Sequence, residues 1–157
     1  MINLYEYLTE SLEGDVSKIK AKISSKKAFA IEGDEQAAIR LVNNVCKDFK
    51  FQLTIVYMDK AEGDDLQGVS FEKDGKAQTA LPNWADEISK HKNQEYVVLF
   101  AGTPKDKKVL NSLMPIVLNH EIGGNEIENI ACVGIVQDKL ELSGPMESRV
   151  RPIIKLK

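Results

Sequence analysis

Two kinds of apolar pattern alternate along the chain. Between residues 3 and 23, Leu4, Leu8, Leu12, Val16, Ile19 and Ile23 recur at three- and four-residue spacing, which lays one apolar stripe along a helix. Gly14 is expected to divide that helix, and Ser24-Ser25-Lys26-Lys27 to end it. The other pattern is the short uninterrupted apolar run. Ala28 to Ile31, Tyr96 to Phe100 (YVVLF) and Ile130 to Val136 (IACVGIV) are of this kind, as strands covered on both faces are. Phe51 to Tyr57 (FQLTIVY), rich in β-branched and aromatic residues, reads as a further strand.

Helical spacing returns between these runs. Glu35 to Phe49 places Ala38, Leu41, Val42, Val45 and Phe49 on one face, and Pro82 opens a helix to about His91 with Trp84, Ala85 and Ile88 inward. Asp106 to about Asn119 is a third, with Val109, Leu110, Leu113, Met114 and Val117 inward and Pro115 expected to kink it or remove one backbone bond. Residues 59–80 are polar and bear glycine, but Asp74-Gly75 inside VSFEKDGKAQTA marks a hairpin. HEIGGNEIE, from His120 to Glu128, is a turn-rich connection or hairpin, Leu142 to Ser148 a short helix, and Arg151 to Leu156 a last strand. Strand, helix, strand implies parallel pairing. The alternation therefore predicts an α/β fold: a three-layer α/β/α sandwich around a five-stranded, mostly parallel sheet, with an inserted β-hairpin. One domain is expected, made of an N-terminal helical segment, 1–24, and an α/β core, 25–157.

Composition narrows the chemistry. The 157 residues are 43% hydrophobic and 29% charged, with a net charge of −3, which suits a soluble globular chain and argues against nonspecific nucleic-acid binding. A local basic patch is still open, and the end RVRPIIKLK is basic, as a solvated strand end also can be. Cys46 and Cys132 lie in apolar stretches and read as reduced core residues. No Cys/His cluster suggests a metal, and His91 and His120 stand alone as helix-end residues. No apolar run approaches the ~18 residues that span a membrane, so a cytoplasmic location is the expectation. Asp64-Asp65 and Asp34-Glu35 are adjacent acids without a His or Cys partner, better explained by turn chemistry than by catalysis.

The order of the blocks resembles the nucleotide-binding core of AAA+ ATPases, in particular the MoxR-like branch, over roughly residues 25–156. AFAIEGDEQAAIRLV resembles the strand, phosphate loop and helix of that family. Asp65, Gly68, Asp74-Gly75, Pro82 and Trp84 match the layout of its second block. YVVLFAGTPKDKKVLNSLMPIVLNHEIGG resembles the Walker B strand with its helix and the hairpin beyond, NIACVGIVQD the sensor strand, and ELSGPMESRVRPIIKL the segment that ends in an arginine finger. The resemblance implies a P-loop NTPase-like strand order, 5-1-4-3-2.

The catalytic residues of that family are missing. A Walker A loop, G-x-x-x-x-G-K-[ST], wraps phosphates with backbone N–H groups and adds a lysine and a hydroxyl. Here Gly33 is followed by Asp34-Glu35-Gln36-Ala37-Ala38-Ile39, with no second glycine, lysine or hydroxyl. The loop is also short, so the helix should begin almost at the strand end, with Asp34 and Glu35 where phosphates would lie. Carboxylates suit a helix N-terminus and repel a triphosphate. Phe100-Ala101 replaces the Walker B Asp-Glu, and Gln137 or Val136 stands at the sensor position. The degenerate loop Gly33, Asp34, Glu35 and Gln36 is expected to bind no nucleotide, and no catalytic residue, metal or cofactor is expected. Arg149 matches the arginine finger, which acts in trans on a neighbour; the plainer reading is an arginine capping carbonyls at a helix end, with Arg151 adding charge.

These readings imply a pseudo-ATPase module acting through protein contacts, as partner or regulator of an active AAA+ ATPase or by self-association. Two alternatives stand beside it: nucleotide binding without hydrolysis, and a structural phage protein. MINLYEYLTESLE resembles the leaders that direct proteins into phage heads, with Leu8-Thr9-Glu10 like their cleavage site; a docking or sheet-covering amphipathic helix is the simpler account.

Overall fold

The structure is a computed structural model that describes the backbone of residues 4–156 and the side chains of residues 13–156. Its elements, in chain order, are α1 (Leu4–Ser24), β1 (Phe29–Glu32), α2 (Glu35–Phe49), β2 (Gln52–Tyr57), α3 (Gly63–Gln67), β3 (Val69–Lys73), β4 (Lys76–Ala80), α4 (Asn83–Lys90), β5 (Tyr96–Ala101), α5 (Lys107–Asn119), β6 (Glu121–Ile122), β7 (Asn125–Glu126), β8 (Ile130–Gln137), α6 (Gly144–Val150) and β9 (Ile154–Lys155). The main sheet has five strands in the order β2-β5-β8-β1-β9, and every pairing in it is parallel. Counted along the core strands this is the expected 5-1-4-3-2 order read from the other edge, wholly rather than mostly parallel.

The period-2 alternation of the strands divides the core in two. Phe29, Ile31, Val97, Leu99, Cys132 and Val136 point to one face, where α1 and α2 cover them with Ile19, Ile23, Val42 and Val45. Tyr96, Val98, Phe100, Val133 and Ile135 point to the other, under α3, α4, α5 and α6. The register slips between Tyr96 and Val97, which pair with Ile130 and Cys132. Ala131 is thus a bulge, and the extra residue keeps both strands in phase: Tyr96 and Ile130 share one face, Val97 and Cys132 the other. Phe29 pairs with Gly134. An ideal Cβ on Gly134 would stand 2.5 Å from Cε2 of Phe29, so the glycine makes the space that the ring fills.

Several local expectations change. Helix α1 runs unbroken through Gly14: a glycine costs about 1 kcal/mol in a helix, less than burying Ile19 and Ile23 returns. The side chains of Leu4, Leu8 and Leu12, and the leader resemblance at Leu8-Thr9-Glu10, fall outside the described side chains. Helix α5 continues through Pro115. Asp64 and Asp65 lie not in a turn but in the first turn of α3, where carboxylates oppose the helix dipole; Leu66, fully buried, was the cue for this helix. Helix α6 begins two residues late, at Gly144, because Ser143 caps it, its side chain accepting from the Met146 N–H. The last strand shrinks to Ile154–Lys155 behind the cis Arg151–Pro152 bond. Asp74 and Gly75 take positive φ (53° and 77°) between β3 and β4, as the hairpin requires.

Gly134→Ala should cost about 1–3 kcal/mol in urea unfolding, because the new methyl overpacks against Phe29.

Candidate functional site

At the carboxyl ends of the parallel strands, where open α/β sheets bind ligands, the chain covers itself. Gly33 (φ 152°) leaves β1 and its N–H donates to the Gln137 carbonyl, 3.0 Å. A Cβ at Gly33 would meet Cβ of Leu156 at 2.7 Å, so the residue just past β9 lies against the turn. Asp34 is the N-cap of α2, its carboxylate accepting from the Ala37 N–H at 2.9 Å. Two residues, Gly33 and Asp34, thus separate the strand from the helix. One of its first N–H groups, that of Ala37, which could face a phosphate, serves the chain's own carboxylate. Glu35 comes next in the first turn, and Gln36 is exposed.

Two further side chains pull the β8–α6 connection onto this edge. Glu32 Oε2 accepts from the Leu140 N–H at 2.9 Å. Gln137 Oε1 accepts from the Glu141 N–H at 2.8 Å. Gln137 is only 1% exposed. The Glu141 N–H fixes which end of its amide carries the oxygen, and the Nε2 has no hydrogen-bond partner among the described residues. Phe100 and Ala101 are buried at the end of β5, and the Trp84 ring meets Phe100 edge-on, centroids 5.7 Å apart. Four residues of the second block, Asp65, Gly68, Pro82 and Trp84, line one cavity, with Asp74-Gly75 away at the hairpin tip: Trp84 Nε1 donates to the Asp65 carbonyl at 2.8 Å, and the Asp65 carboxylate accepts from the Glu62 N–H at 2.7 Å. Both contacts hold a corner of the fold.

Arg149 is elsewhere. Its guanidinium donates to the Leu118 carbonyl in the last turn of α5, 2.6 Å, and it lines a cavity with Ala28, the residue before β1. Gly33 lies just past β1, so the four-residue strand separates them, roughly 13 Å at ~3.3 Å per residue. The structure therefore brings Gly33, Asp34 and Gln137 together and leaves Arg149 at the opposite end of the sheet, in contact with a helix-end carbonyl. Among the described residues no group of three or more His, Cys, Asp or Glu could hold a metal ion, and no helix is long and apolar enough to cross a membrane. Cys46 and Cys132 are free and buried; burial pushes their thiols up, to about 11 and about 12.

The arginine's cavity was missed in the sequence. It occupies about 850 Å³ and draws Lys18, Lys22, Lys26 and Lys27 from the end of α1 and the turn after it, His120 from the end of α5, and Arg149 and Arg151 from around the end of α6. The residues come from three separated segments, so no local motif records them. The only traces were the Lys26-Lys27 pair and the basic RVR run.

A second surface feature is the β3–β4 hairpin. Gly68 (φ 82°) and Gly123 (φ 61°) sit tightly against Ala80 and Thr79, and the Gln67 amide bridges Ser112, Glu121 and Gly123. The base is held, while Val69 (51%) and Phe71 (43%) stay exposed. Tyr57, 53% exposed, shares a cavity with Val69 at the hairpin's foot.

No protein-family model matches the chain, and no curated protein matches it.

Asp34→Ala should lower stability by about 1 kcal/mol through loss of the cap, and thermal melts with and without Mg²⁺-ATP should show the same loss.

Proposed function

We propose that the chain is a non-catalytic AAA+-like module that works through protein contacts, as partner or regulator of an active AAA+ ATPase. The observation that carries this reading is the self-filled strand edge. Asp34 caps the start of α2 through the Ala37 N–H, Leu156 packs on the Gly33 turn, and Glu32 and Gln137 hold the 140–141 backbone against it. The five-strand order supports the AAA+ likeness, and Phe100 and Ala101 offer no carboxylate for Mg²⁺ at the end of β5. A framework that keeps the architecture and lacks the chemistry is left with its surfaces. The hairpin is an apolar part of that surface: Val69 and Phe71 stand out on a strand whose base is fixed, as contact residues on a rigid support do.

The test mixes the chain with active MoxR-like ATPases and measures complex formation and hydrolysis. Complex formation with at least one of them, weakened about tenfold or more when Val69 and Phe71 are both changed to Ser, is the expected result; stability should move by under about 0.5 kcal/mol, since both side chains are exposed. Absence of any complex defeats the reading. In the same assay Arg149→Ala tests the finger: if no partner's hydrolysis rate changes, Arg149 is a helix-end cap and no more.

A further inference from the structure

The cavity around Arg149 has a charge that the chain as a whole does not. The protein carries −3, yet among the described residues the lining of this cavity includes Lys18, Lys22, Lys26, Lys27, Arg149 and Arg151 and not one carboxylate. Two of the cations are neutralised from outside it, Lys26 by Glu95 at 2.6 Å and Arg151 by Glu147 at 3.4 Å. Lys22 and Arg149 are held in place by neutral acceptors, the Arg151 and Leu118 carbonyls, each at 2.6 Å. Lys18 and Lys27 make no ion pair among the described residues. Four positive charges thus share the cavity without a counter-charge among the described residues. The Lys22 ammonium is held below the usual lysine range, first by burial and then by repulsion from Lys27. An anion between the two ammonium groups would offset their repulsion.

The rest of the lining says what the anion is attached to. Val117, Leu118, Pro152 and Ile153 give the cavity an apolar wall. Its volume of about 850 Å³ falls within the roughly 300–1,000 Å³ of small-molecule sites. Preset donors, an arginine fork among them, suit a phosphate, which carries close to two charges at neutral pH. We propose that this cavity is a binding site for a small organic phosphate, its dianionic group met by Lys22, Lys27 and Arg149 and its apolar body resting on Val117 and Pro152. The site lies at the amino ends of β1 and β9, away from the Gly33 turn, and the proposal does not rest on the AAA+-like reading.

Calorimetric titration of the full chain with phenyl phosphate tests it, with inorganic phosphate as the charge-only probe. One saturable site is expected, tighter for phenyl phosphate than for phosphate and weaker as salt rises. Lys27→Gln and Arg149→Gln should each weaken it about tenfold or more, the loss expected for one charged hydrogen bond. Lys139→Gln, an exposed charge outside the cavity, should leave it unchanged. Lys27 makes no side-chain hydrogen bond or ion pair among the described residues, so its variant reads binding without disturbing the fold. No saturable binding overturns the proposal, and so does an affinity that Lys27→Gln and Arg149→Gln leave equal to that of Lys139→Gln. Tight binding of a single-stranded oligonucleotide that phenyl phosphate fails to displace would overturn it in favour of a nucleic-acid surface.

Discussion

A parallel sheet with apolar side chains on both faces has to be covered twice, and most of this structure arises from that requirement. β5 and β8 are buried along their whole length, so neither face can be left to water. Helices α1 and α2 close one side and α3 to α6 the other. Within the sheet the demand becomes one of fit. Gly134 yields the space that Phe29 fills, and the Ala131 bulge keeps the β5 and β8 side chains on matching faces.

The same economy governs the carboxyl edge. Strand ends and helix N-termini present unpaired backbone groups, and a nucleotide is one way to satisfy them. Here several of them are satisfied internally. Asp34 takes an N–H of α2, the Gln137 carbonyl takes the Gly33 N–H, and the side chains of Glu32 and Gln137 take N–H groups of the returning loop. A carboxylate at a helix start contributes about 1 kcal/mol without a ligand. It also places negative charge where phosphates would need the opposite. The amino edge has the reverse character: it gathers cations from three segments around one cavity.

Much of the fold was legible because it is written in local periodicity. The YVVLF and IACVGIV runs became the buried strands β5 and β8. Helix α2 begins and ends at the expected residues because Asp34 caps its start and Lys50 adopts the left-handed conformation at its end. The Asp74-Gly75 hairpin is equally local. The failures were also physical. Helix α3 hid in a polar stretch because one buried leucine, Leu66, anchors it, and the length of β9 depended on its pairing with Ile31 and Glu32. At the candidate site the Asp34 cap was readable, since capping needs only neighbours in sequence. The packing of Leu156 on Gly33 and the basic cavity were not, because both join residues far apart in the chain.

The central claim is that the chain's own groups fill the nucleotide edge. Amide hydrogen exchange with and without saturating Mg²⁺-ATP tests it most directly, read at Gly33, Ala37, Leu140 and Glu141, whose N–H groups make the closing contacts. These amides should exchange at the same rate in both states, any protection being confined to the segments around Lys22 and Arg149. Slowed exchange at Gly33 and Ala37 on adding Mg²⁺-ATP would mean that a nucleotide occupies the turn, and would contradict the account.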